Sequence, residues 1–361
     1  MVSSGASVPA GRVGRDPMIA DRATPTVTVA LCTYEGEAWL PALFGSLERQ
    51  TLPPTEVVVC DDASTDGTVA VLRELAARAP WPVRVTVNPV RLGFSPNFEQ
   101  AVRLAAGEVI ALADQDDVWA PAKLERLVAA LRPPVPPTGG AGQPGLVFSD
   151  ADLVDEDLRP LGRRAWEALG ITDRELAGIR SGSAFRVLLR RQRAAGGTVP
   201  GATMAFAGQF REVVLPFPDG LAVSGKGFAH DAWITLVVAA MAPVVALAEP
   251  LVAYRSHPGQ QIGLADRPAP GRPGVGALAA SRPDVPAWAS TLRERLQDQQ
   301  RRFPCPASLE LLAAMVGHLE GRAALPARRW RRVVPVAREL VTGRYGEWSS
   351  GVSSALADLA R

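Results

Sequence analysis

The sequence predicts an α/β protein built on a parallel sheet covered by helices, and two observations carry this prediction. Runs rich in β-branched residues alternate with amphipathic helical stretches from Thr26 onward, which is typical of such a sheet. Three of the predicted strands end in polar residues, and ligands of open parallel sheets bind beyond the carboxyl ends of the strands. We therefore expect the three strand ends to converge on one crevice.

The first part of the chain contains five predicted strands and four predicted helices. The strands are Thr26–Tyr34, Glu56–Asp62, Val83–Asn88, Glu108–Asp114 and Gly145–Ser149. The helices are Glu37–Gln50, Asp66–Ala79, Ser95–Ala106 and Pro121–Leu131. Ser95 is expected to cap its helix, with Pro96 in the first turn.

The rest of the chain is punctuated by segments rich in proline and glycine. Residues 132–143 form a predicted loop, and the stretch from 151 to about 197 looks helical and polar. The apolar stretch 232–248 is too short for a membrane span of ~20 residues and carries Pro243, so it predicts a helix, a break and a buried strand. Two or three helices are expected near the C-terminus.

The composition describes a folded protein without a global charge bias. Its 361 residues are 47% apolar, and 39 basic and 37 acidic residues leave a net charge of +2, which does not favour nucleic acid as a partner. Cys32, Cys60 and Cys305 have no metal-type spacing, so we expect reduced core cysteines, which suits a cytoplasmic protein. Residues 1–23 show no signal peptide and are expected to form a disordered leader.

The strongest chemical signal is LADQDDVWAP at residues 112–121, where an apolar strand runs into Asp114, Asp116 and Asp117. Carboxylates this close repel one another, so the cluster is favourable mainly when a cation neutralises it, and Mg²⁺ or Mn²⁺ suits these hard oxygen ligands. Such a metal can bridge a diphosphate. The alternative is an acidic loop in which Asp116 or Asp117 caps the next helix.

The other two polar strand ends offer groups to a nucleotide. Asp61 or Asp62, in VVVCDDASTDGT, can accept hydrogen bonds from a nucleobase or a ribose. Thr33, Tyr34 and Glu35 close the first strand with hydroxyls, a ring face and a carboxylate. The alternatives are local, because an aspartate before a helix is common and a lone tyrosine more often packs.

In their order and spacing, these motifs of residues 26–131 resemble the nucleotide-binding half of the family-2 inverting glycosyltransferases. The resemblance implies a GT-A fold, with one mixed sheet and helices on both faces, and a nucleoside-diphosphate-sugar donor. It also implies a divalent metal, Mn²⁺ or Mg²⁺, held by the D-x-D element at Asp114 and Asp116. The donor site that it implies consists of Thr33, Tyr34, Glu35, Asp62, Arg91 and Asp114.

The downstream half resembles the bacterial rhamnosyltransferase-like branch of the same family. The resemblance lies in GATMAF at 201–206, GFAHDAW at 227–233 and LVAYRSHPGQQIG at 251–263. It implies that Asp231 is the general base that deprotonates the acceptor hydroxyl; a helix N-cap is the alternative. It places His257 near the metal. Further candidates on the acceptor or sugar side are Asp150, His230, Trp233 and Arg255.

We expect a glycosyltransferase domain over residues 24–263, with a nucleotide-binding half at 24–131 and an acceptor half at 145–263. A linker at 264–284 and a helical C-terminal extension at 285–361 follow. The extension clusters arginines among apolar residues, namely Arg328, Arg329, Arg331, Arg332, Arg338 and Arg344. A basic amphipathic helix of this kind can lie on an anionic membrane, here the inner face of the plasma membrane, or it can simply pack on the domain.

The expected function is transfer of a sugar, with rhamnose favoured by the branch resemblance, onto a glycan or lipid-linked acceptor in cell-surface polysaccharide biosynthesis. One alternative is a nucleotidyltransferase, which would be expected to place a Gly-rich basic loop after the first strand, where CTYEGEAWL stands. The other is a non-catalytic nucleotide- or carbohydrate-binding protein. The presence of Asp114, Asp116 and Asp231 argues against such a loss of catalytic activity.

Overall fold

The computed structural model describes residues 24–133, 142–195, 199–222, 228–260, 263–264 and 285–360. The predicted leader at 1–23 and nearly all of the predicted linker at 264–284 lie outside these residues. Over the described ranges, every helix is too short or too polar to cross a membrane.

The described residues contain one mixed sheet of nine strands, which confirms the predicted α/β class. The strands are β1 Val27–Thr33, β2 Glu56–Asp61, β3 Val83–Val87, β4 Val109–Asp114, β5 Val118–Trp119, β6 Leu146–Val154, β7 Pro160–Arg164, β8 Met204–Ala207 and β9 Val244–Arg255. Their spatial order is β3-β2-β1-β4-β8-β6-β9-β5, and β7 pairs with β6 beside this path.

The strand β1 lies between β2 and β4 and runs parallel to both. All three strands are continuous apolar runs, as strands covered on both faces require. In register, Cys32 lies beside Cys60 on one side and beside Asp114 on the other. The polar carboxyl ends of the three strands therefore meet at one edge of the sheet, as the sequence predicts.

Helices cover both faces of the sheet. Those of the domain are α1 Leu40–Glu48, α2 Thr68–Arg78, α3 Phe94–Leu104, α4 Lys123–Leu131, α5 Ala165–Leu169, α6 Asp173–Gly178, α7 Ala184–Ala195, α8 Arg211–Val214 and α9 His230–Met241. Alternate residues of β1 divide the core: Val29 and Leu31 pack with α1, α2 and α4, whereas Ala30 faces α3, α7 and α9. The three cysteines are free, and Cys60 and Cys305 are buried.

Two local predictions are wrong, and each has a structural reason. The stretch from 151 is not yet helical, because β6 continues to Val154 in parallel pairing with β9, and β7 then folds back on it. Ser95 does not cap α3, which begins at Phe94 after Gly93. The Ser95 hydroxyl instead donates to the Ala222 carbonyl oxygen at 2.6 Å. The predicted helix, break and strand over 232–248 are confirmed by α9 and β9.

The C-terminal extension is helical, as predicted, and it contains five α-helices within residues 285–360. They are α10 Ala287–Asp298, α11 Pro306–Ala323, α12 Val333–Val341, α13 Arg344–Trp348 and α14 Val352–Ala360. Gly343 and Gly351, with φ of 75° and 63°, separate the last three. Leu292 in α10 and Leu312 in α11 pack into the same core as α9, so the extension is continuous with the domain.

Candidate active site

A cavity of about 480 Å³ opens at the carboxyl ends of β1, β2 and β4. Residues of both predicted halves line it. The predicted site residues in its wall are Thr33, Tyr34, Glu35, Asp62, Arg91, Asp114, Asp116, His230, Asp231 and His257. One crevice therefore holds the nucleotide-side, metal-side and acceptor-side candidates together.

The acidic loop lies between β4 and α4 and does not cap the helix. The N-cap of α4 is Ala122, and no side chain makes a capping hydrogen bond there, so the capping alternative is wrong. The Oδ2 atom of Asp116 lies 2.9 Å from Nε2 of His257. Asp117 is buried and accepts from the Arg255 N–H at 3.0 Å through Oδ1, while its Oδ2 has no hydrogen-bond partner among the described residues.

Burial and mutual repulsion govern the charge of this loop. Burial first, and then the charges of Asp116 and Asp231, raise the pKa of Asp114 to about 7. Burial and the charges of Asp116 and Asp114 likewise raise the pKa of Asp117 well above its usual value. Without a metal, these two carboxyl groups therefore tend to hold a proton, and a cation bound beside them would relieve the repulsion between the ionised groups.

A buried lysine lies behind the acidic loop. Lys123 is fully buried, its Nζ donates to the Ala202 carbonyl oxygen at 2.6 Å, and burial lowers its pKa. Sequence reasoning missed this residue. The available signal is that Lys123 shares one helix face with Leu127 and Leu131, at the i, i+4, i+8 spacing of a buried stripe.

The residues present fit a divalent cation that shares its coordination with a ligand. Asp116 and His257 are in contact, and Asp114 faces the same cavity. Among the described residues, no three His, Cys, Asp or Glu side chains already enclose a site for an ion. Mg²⁺ is usually held by one or two carboxylates together with phosphate oxygens and water, so a partial set of protein ligands suits a metal–diphosphate complex.

The nucleotide-side carboxylates organise loops. Asp62 accepts from the N–H groups of Leu92 at 2.7 Å and Gly93 at 2.8 Å, which fixes the segment that carries Arg91. The guanidinium carbon of Arg91 then lies 3.6 Å from the centroid of the Tyr34 ring. Cation–π contact of this kind holds the exposed arginine at the rim of the cavity.

Glu35 joins the first strand end to the second. Its Oε1 accepts from the Thr65 N–H at 2.7 Å, and its own N–H donates to the Ser64 hydroxyl at 2.9 Å. At the floor of the cavity, Thr33 is buried, and its hydroxyl has no hydrogen-bond partner in the described part of the chain. Thr33 therefore has hydrogen-bonding capacity left for a ligand.

Gln115, the middle residue of the D-x-D element, pairs with the backbone of Tyr34. Its Nε2 donates to the Tyr34 carbonyl oxygen at 2.8 Å, and its Oε1 accepts from the Tyr34 N–H at 2.9 Å. A Cβ at Gly36 would lie 2.1 Å from that Oε1, so a larger residue there would displace the Gln115 amide. Sequence reasoning missed Gln115, although Gly36 signals a close approach to this backbone.

Asp231 lies in the first turn of α9 and in the wall of the cavity. The N-cap of α9 is Ala229, so the N-cap alternative for Asp231 is wrong. Its Oδ1 accepts from the adjacent Ala232 N–H at 2.7 Å. The carboxylate thus stands in the wall of the same cavity as Asp114 and Asp116.

Three predicted acceptor-side residues lie outside the wall of the cavity. Trp233 belongs to the core, where its Nε1 donates to the Val214 carbonyl oxygen at 2.8 Å. Asp150 accepts from the Trp166 N–H at 3.0 Å. Arg255 supports the acidic loop from behind, because its Nε donates to the Asp116 carbonyl oxygen at 2.7 Å.

Residues 28–135 match the family model for Glycosyl transferase family 2. An uncharacterized protein of Mycobacterium tuberculosis is 33% identical over 140 residues, which cover 38% of this chain and 40% of that relative. An uncharacterized glycosyltransferase of Nostoc is 33% identical over 102 residues, covering 28% of this chain and 31% of that protein. The chain thus spans less than half of the length of these relatives.

Among solved structures, TarS 1-349 from S. aureus in complex with UDP-GlcNAc has a TM-score of 0.49 and 17% sequence identity, over 92% of this chain and 90% of that one. The sequence match covers β1 to α4 and thereby the acidic loop, Asp62 and Arg91. Residues 28–135 are therefore similar in sequence to glycosyl transferase family 2.

Proposed function

We propose that this protein is a metal-dependent inverting glycosyltransferase that moves a sugar from a nucleoside-diphosphate-sugar onto a glycan or lipid-linked acceptor in cell-surface polysaccharide biosynthesis. The observation that carries the proposal is one cavity that unites the D-x-D carboxylates of a family-2 domain with Asp231 on α9. Rhamnose is the favoured sugar, on the resemblance of the downstream motifs to that branch.

Each half of the cavity has its own part in the reaction. Asp114, Asp116 and His257 would hold Mn²⁺ or Mg²⁺, and the metal, when bound, supplies Lewis-acid stabilisation of the departing diphosphate. Arg91 adds a fixed positive charge at the rim. Asp231 accepts the proton of the acceptor hydroxyl while the acceptor oxygen bonds to the anomeric carbon and the bond from that carbon to the diphosphate oxygen breaks.

The direct test is a screen for nucleoside diphosphate release. Purified protein is incubated with UDP-glucose, UDP-GlcNAc, GDP-mannose and dTDP-rhamnose, with Mn²⁺, with Mg²⁺ or with EDTA. We expect metal-dependent release from one donor in preference to the others. Formation of a nucleoside triphosphate and a sugar 1-phosphate when pyrophosphate is added to a donor would support the nucleotidyltransferase alternative, and donor binding without any turnover would support the non-catalytic one. Either result contradicts the proposal.

We propose, in addition, that the C-terminal extension contacts an anionic membrane, at the inner face of the plasma membrane, through a basic apolar surface. This surface comprises Arg328, Arg329, Trp330, Arg331, Val334 and Val341. Trp330, Val334 and Val341 are 67%, 75% and 87% exposed, which is unusual for apolar side chains on one short segment. Neighbouring guanidinium groups match anionic head groups, and exposed apolar groups suit the boundary with the acyl chains.

Arg332 does not belong to this surface, although its neighbours in sequence do. It is buried and donates to the carbonyl oxygens of Pro326 and Ala327 at 2.5 and 3.2 Å and of Asp358 at 3.0 Å. Its role is to hold the segment on the extension. Substituting Arg332 would therefore test folding rather than membrane contact.

The membrane proposal is tested by co-sedimentation with phosphatidylglycerol vesicles at low and high salt. Because each basic residue near an anionic surface is worth about 1 kcal/mol, replacing Arg328, Arg329 and Arg331 with Gln should weaken binding about 100-fold. The matched control replaces the exposed Arg49, Arg73 and Arg293 with Gln, which removes the same charge elsewhere. Equal loss in both triple variants, or no binding by the wild type, would refute a specific surface.

A further inference from the structure

His230 is a buried side chain in the cavity wall whose ring is fixed by packing. It is 6% exposed, and its ring stacks on that of Phe98, with centroids 4.0 Å apart and planes 15° from parallel. The Phe94 ring meets it edge-on at 5.9 Å. Its backbone N–H donates to the Ser95 hydroxyl at 3.3 Å. The orientation of the imidazole is therefore set before any ligand arrives.

Neither ring nitrogen of His230 has a hydrogen-bond partner within the described ranges. A buried polar group without a hydrogen-bond partner destabilises the folded state, so two such nitrogens in a cavity wall call for a ligand. Gly201 lies beside the ring in the wall of the same cavity, where an added side chain would crowd it. A Cβ at Gly201 would lie 3.1 Å from Nε2 of His230 and 3.8 Å from Cβ of Asp231.

The protonation state of the ring selects the kind of ligand. Burial lowers the pKa of His230 to about 3, so the imidazole is neutral near neutral pH and carries one donor and one acceptor nitrogen. A sugar hydroxyl is itself both a donor and an acceptor, so it can pair with either nitrogen. A phosphate group would need donors alone, which the rim residue Arg91 supplies.

We propose that His230 is a specificity-determining residue that hydrogen-bonds a ring hydroxyl of the donor sugar or of the acceptor sugar, beside the base Asp231. The inference rests on the proposed glycosyl transfer. It adds a residue that reads the sugar itself, whereas the D-x-D loop and Arg91 serve the diphosphate.

The test compares His230→Phe, which keeps a ring for stacking but has no nitrogens, with His230→Asn and the wild type. Calorimetry measures the affinities for UDP, UDP-glucose, UDP-GlcNAc, GDP and GDP-mannose with Mn²⁺. Kinetics measures nucleoside diphosphate release with and without glucose, rhamnose or N-acetylglucosamine as acceptor. Because the Phe variant removes two unsatisfied groups, its melting temperature should equal or exceed that of the wild type, which a structural role would not allow.

We expect His230→Phe to bind UDP and GDP as the wild type does. If the hydroxyl belongs to the donor sugar, the affinity for the nucleotide-sugar should fall about 10-fold. If it belongs to the acceptor sugar, the affinity for the nucleotide-sugar should stay unchanged, and the acceptor-dependent kcat/KM should fall by about the same factor. Partial recovery in His230→Asn supports a hydrogen bond. Gly201→Ala should lower the same quantity by crowding Nε2.

Two results would overturn the inference while leaving the proposed function intact. One is unchanged nucleotide-sugar affinity and kcat/KM in His230→Phe. The other is an equal loss of affinity for UDP and for its sugar conjugates, since that marks a general structural effect. A wild-type protein that turns over no donor would refute the proposed function, and this inference with it.

Discussion

Asp231 lies in the first turn of α9 and in the wall of the cavity, where the proposed transfer requires a base. Asp231→Asn keeps the shape and the hydrogen bond to the Ala232 N–H, but it cannot take up the acceptor proton. We expect sugar transfer to fall by ~10²–10⁴-fold, with donor affinity and melting temperature nearly unchanged. Steady-state kinetics and calorimetry on the same preparation measure both. Transfer at close to the wild-type rate would move the role of base to another residue.

The raised pKa of Asp114 predicts how metal-free protein responds to pH. The folded state holds a proton with a pKa of about 7, whereas an ordinary aspartate has a value of 3.8. The stabilisation that comes from the protonated Asp114 carboxyl is therefore fully present below pH 3.8 and is lost as pH rises through about 7. We expect the melting temperature of EDTA-treated protein to fall between about pH 5 and about pH 8, and to fall less in Asp114→Asn.

Mn²⁺ should reverse this loss, since it binds the ionised carboxylates. We expect its stabilising effect to be larger at the upper end of that pH range than at the lower end. Differential scanning fluorimetry with Mn²⁺ or EDTA measures the difference. A Mn²⁺ effect of the same size at both ends would show that the ion does not compete with the Asp114 proton.

At the scale of residues, the sequence could predict which carboxylates meet but not what supports them. Asp114 and Asp231 follow apolar or Gly-rich segments in recognisable patterns, and both lie in the cavity wall. Lys123 and Gln115 act through partners 79 and 81 positions away, Ala202 and Tyr34. Such contacts depend on how distant segments pack, which residue spacing alone does not encode.

At the scale of elements, the sheet was predictable where strands are buried on both faces. The continuous apolar runs of β1, β2 and β4 permit few other structures. The end of β6 and the strand β7 were missed because they carry alternating charges, such as Asp152 and Arg164, that meet only after β7 folds back. Tertiary pairing decided their structure against a polar, helix-like pattern.

The link between the ends of β1 and β4 should matter for donor binding. Gln115→Ala removes both hydrogen bonds to the Tyr34 backbone, and Gln115→Glu keeps only the acceptor. We expect nucleoside diphosphate affinity to fall about 10-fold in the Ala variant and by less in the Glu variant. Calorimetry measures it, with the exposed Gln209→Ala as control. If Gln115→Ala binds the nucleoside diphosphate as tightly as the wild type does, the link is not needed for donor binding.

At the scale of the whole molecule, the C-terminal extension depends on a buried ion pair. Both oxygens of Asp358 accept from Arg322, at 2.6 and 3.1 Å, and Asp358 also accepts from the Tyr345 hydroxyl at 2.8 Å. Asp358→Asn leaves the Arg322 charge buried and unpaired, so we expect a loss of about 3–5 kcal/mol in the free energy of unfolding.

Urea denaturation measures that loss, with Glu74→Gln as the matched control. Glu74 pairs with Arg78 on the surface, where both side chains are mostly exposed, so its loss should cost less than about 1 kcal/mol. Because α10 and α11 share a core with α9, the extension should unfold together with the domain. Equal stability of Asp358→Asn and Glu74→Gln would contradict the importance of the buried pair.

The central claim is that the cavity binds the nucleoside diphosphate of a sugar donor through a divalent cation held at Asp116. Calorimetric titration of UDP and of GDP, with Mn²⁺ or with EDTA, into the wild type and Asp116→Ala tests it most directly. We expect binding of one nucleotide that requires Mn²⁺ in the wild type and is strongly weakened in Asp116→Ala. Equal, metal-independent binding by both proteins, or no binding of either nucleotide by the wild type, would contradict it.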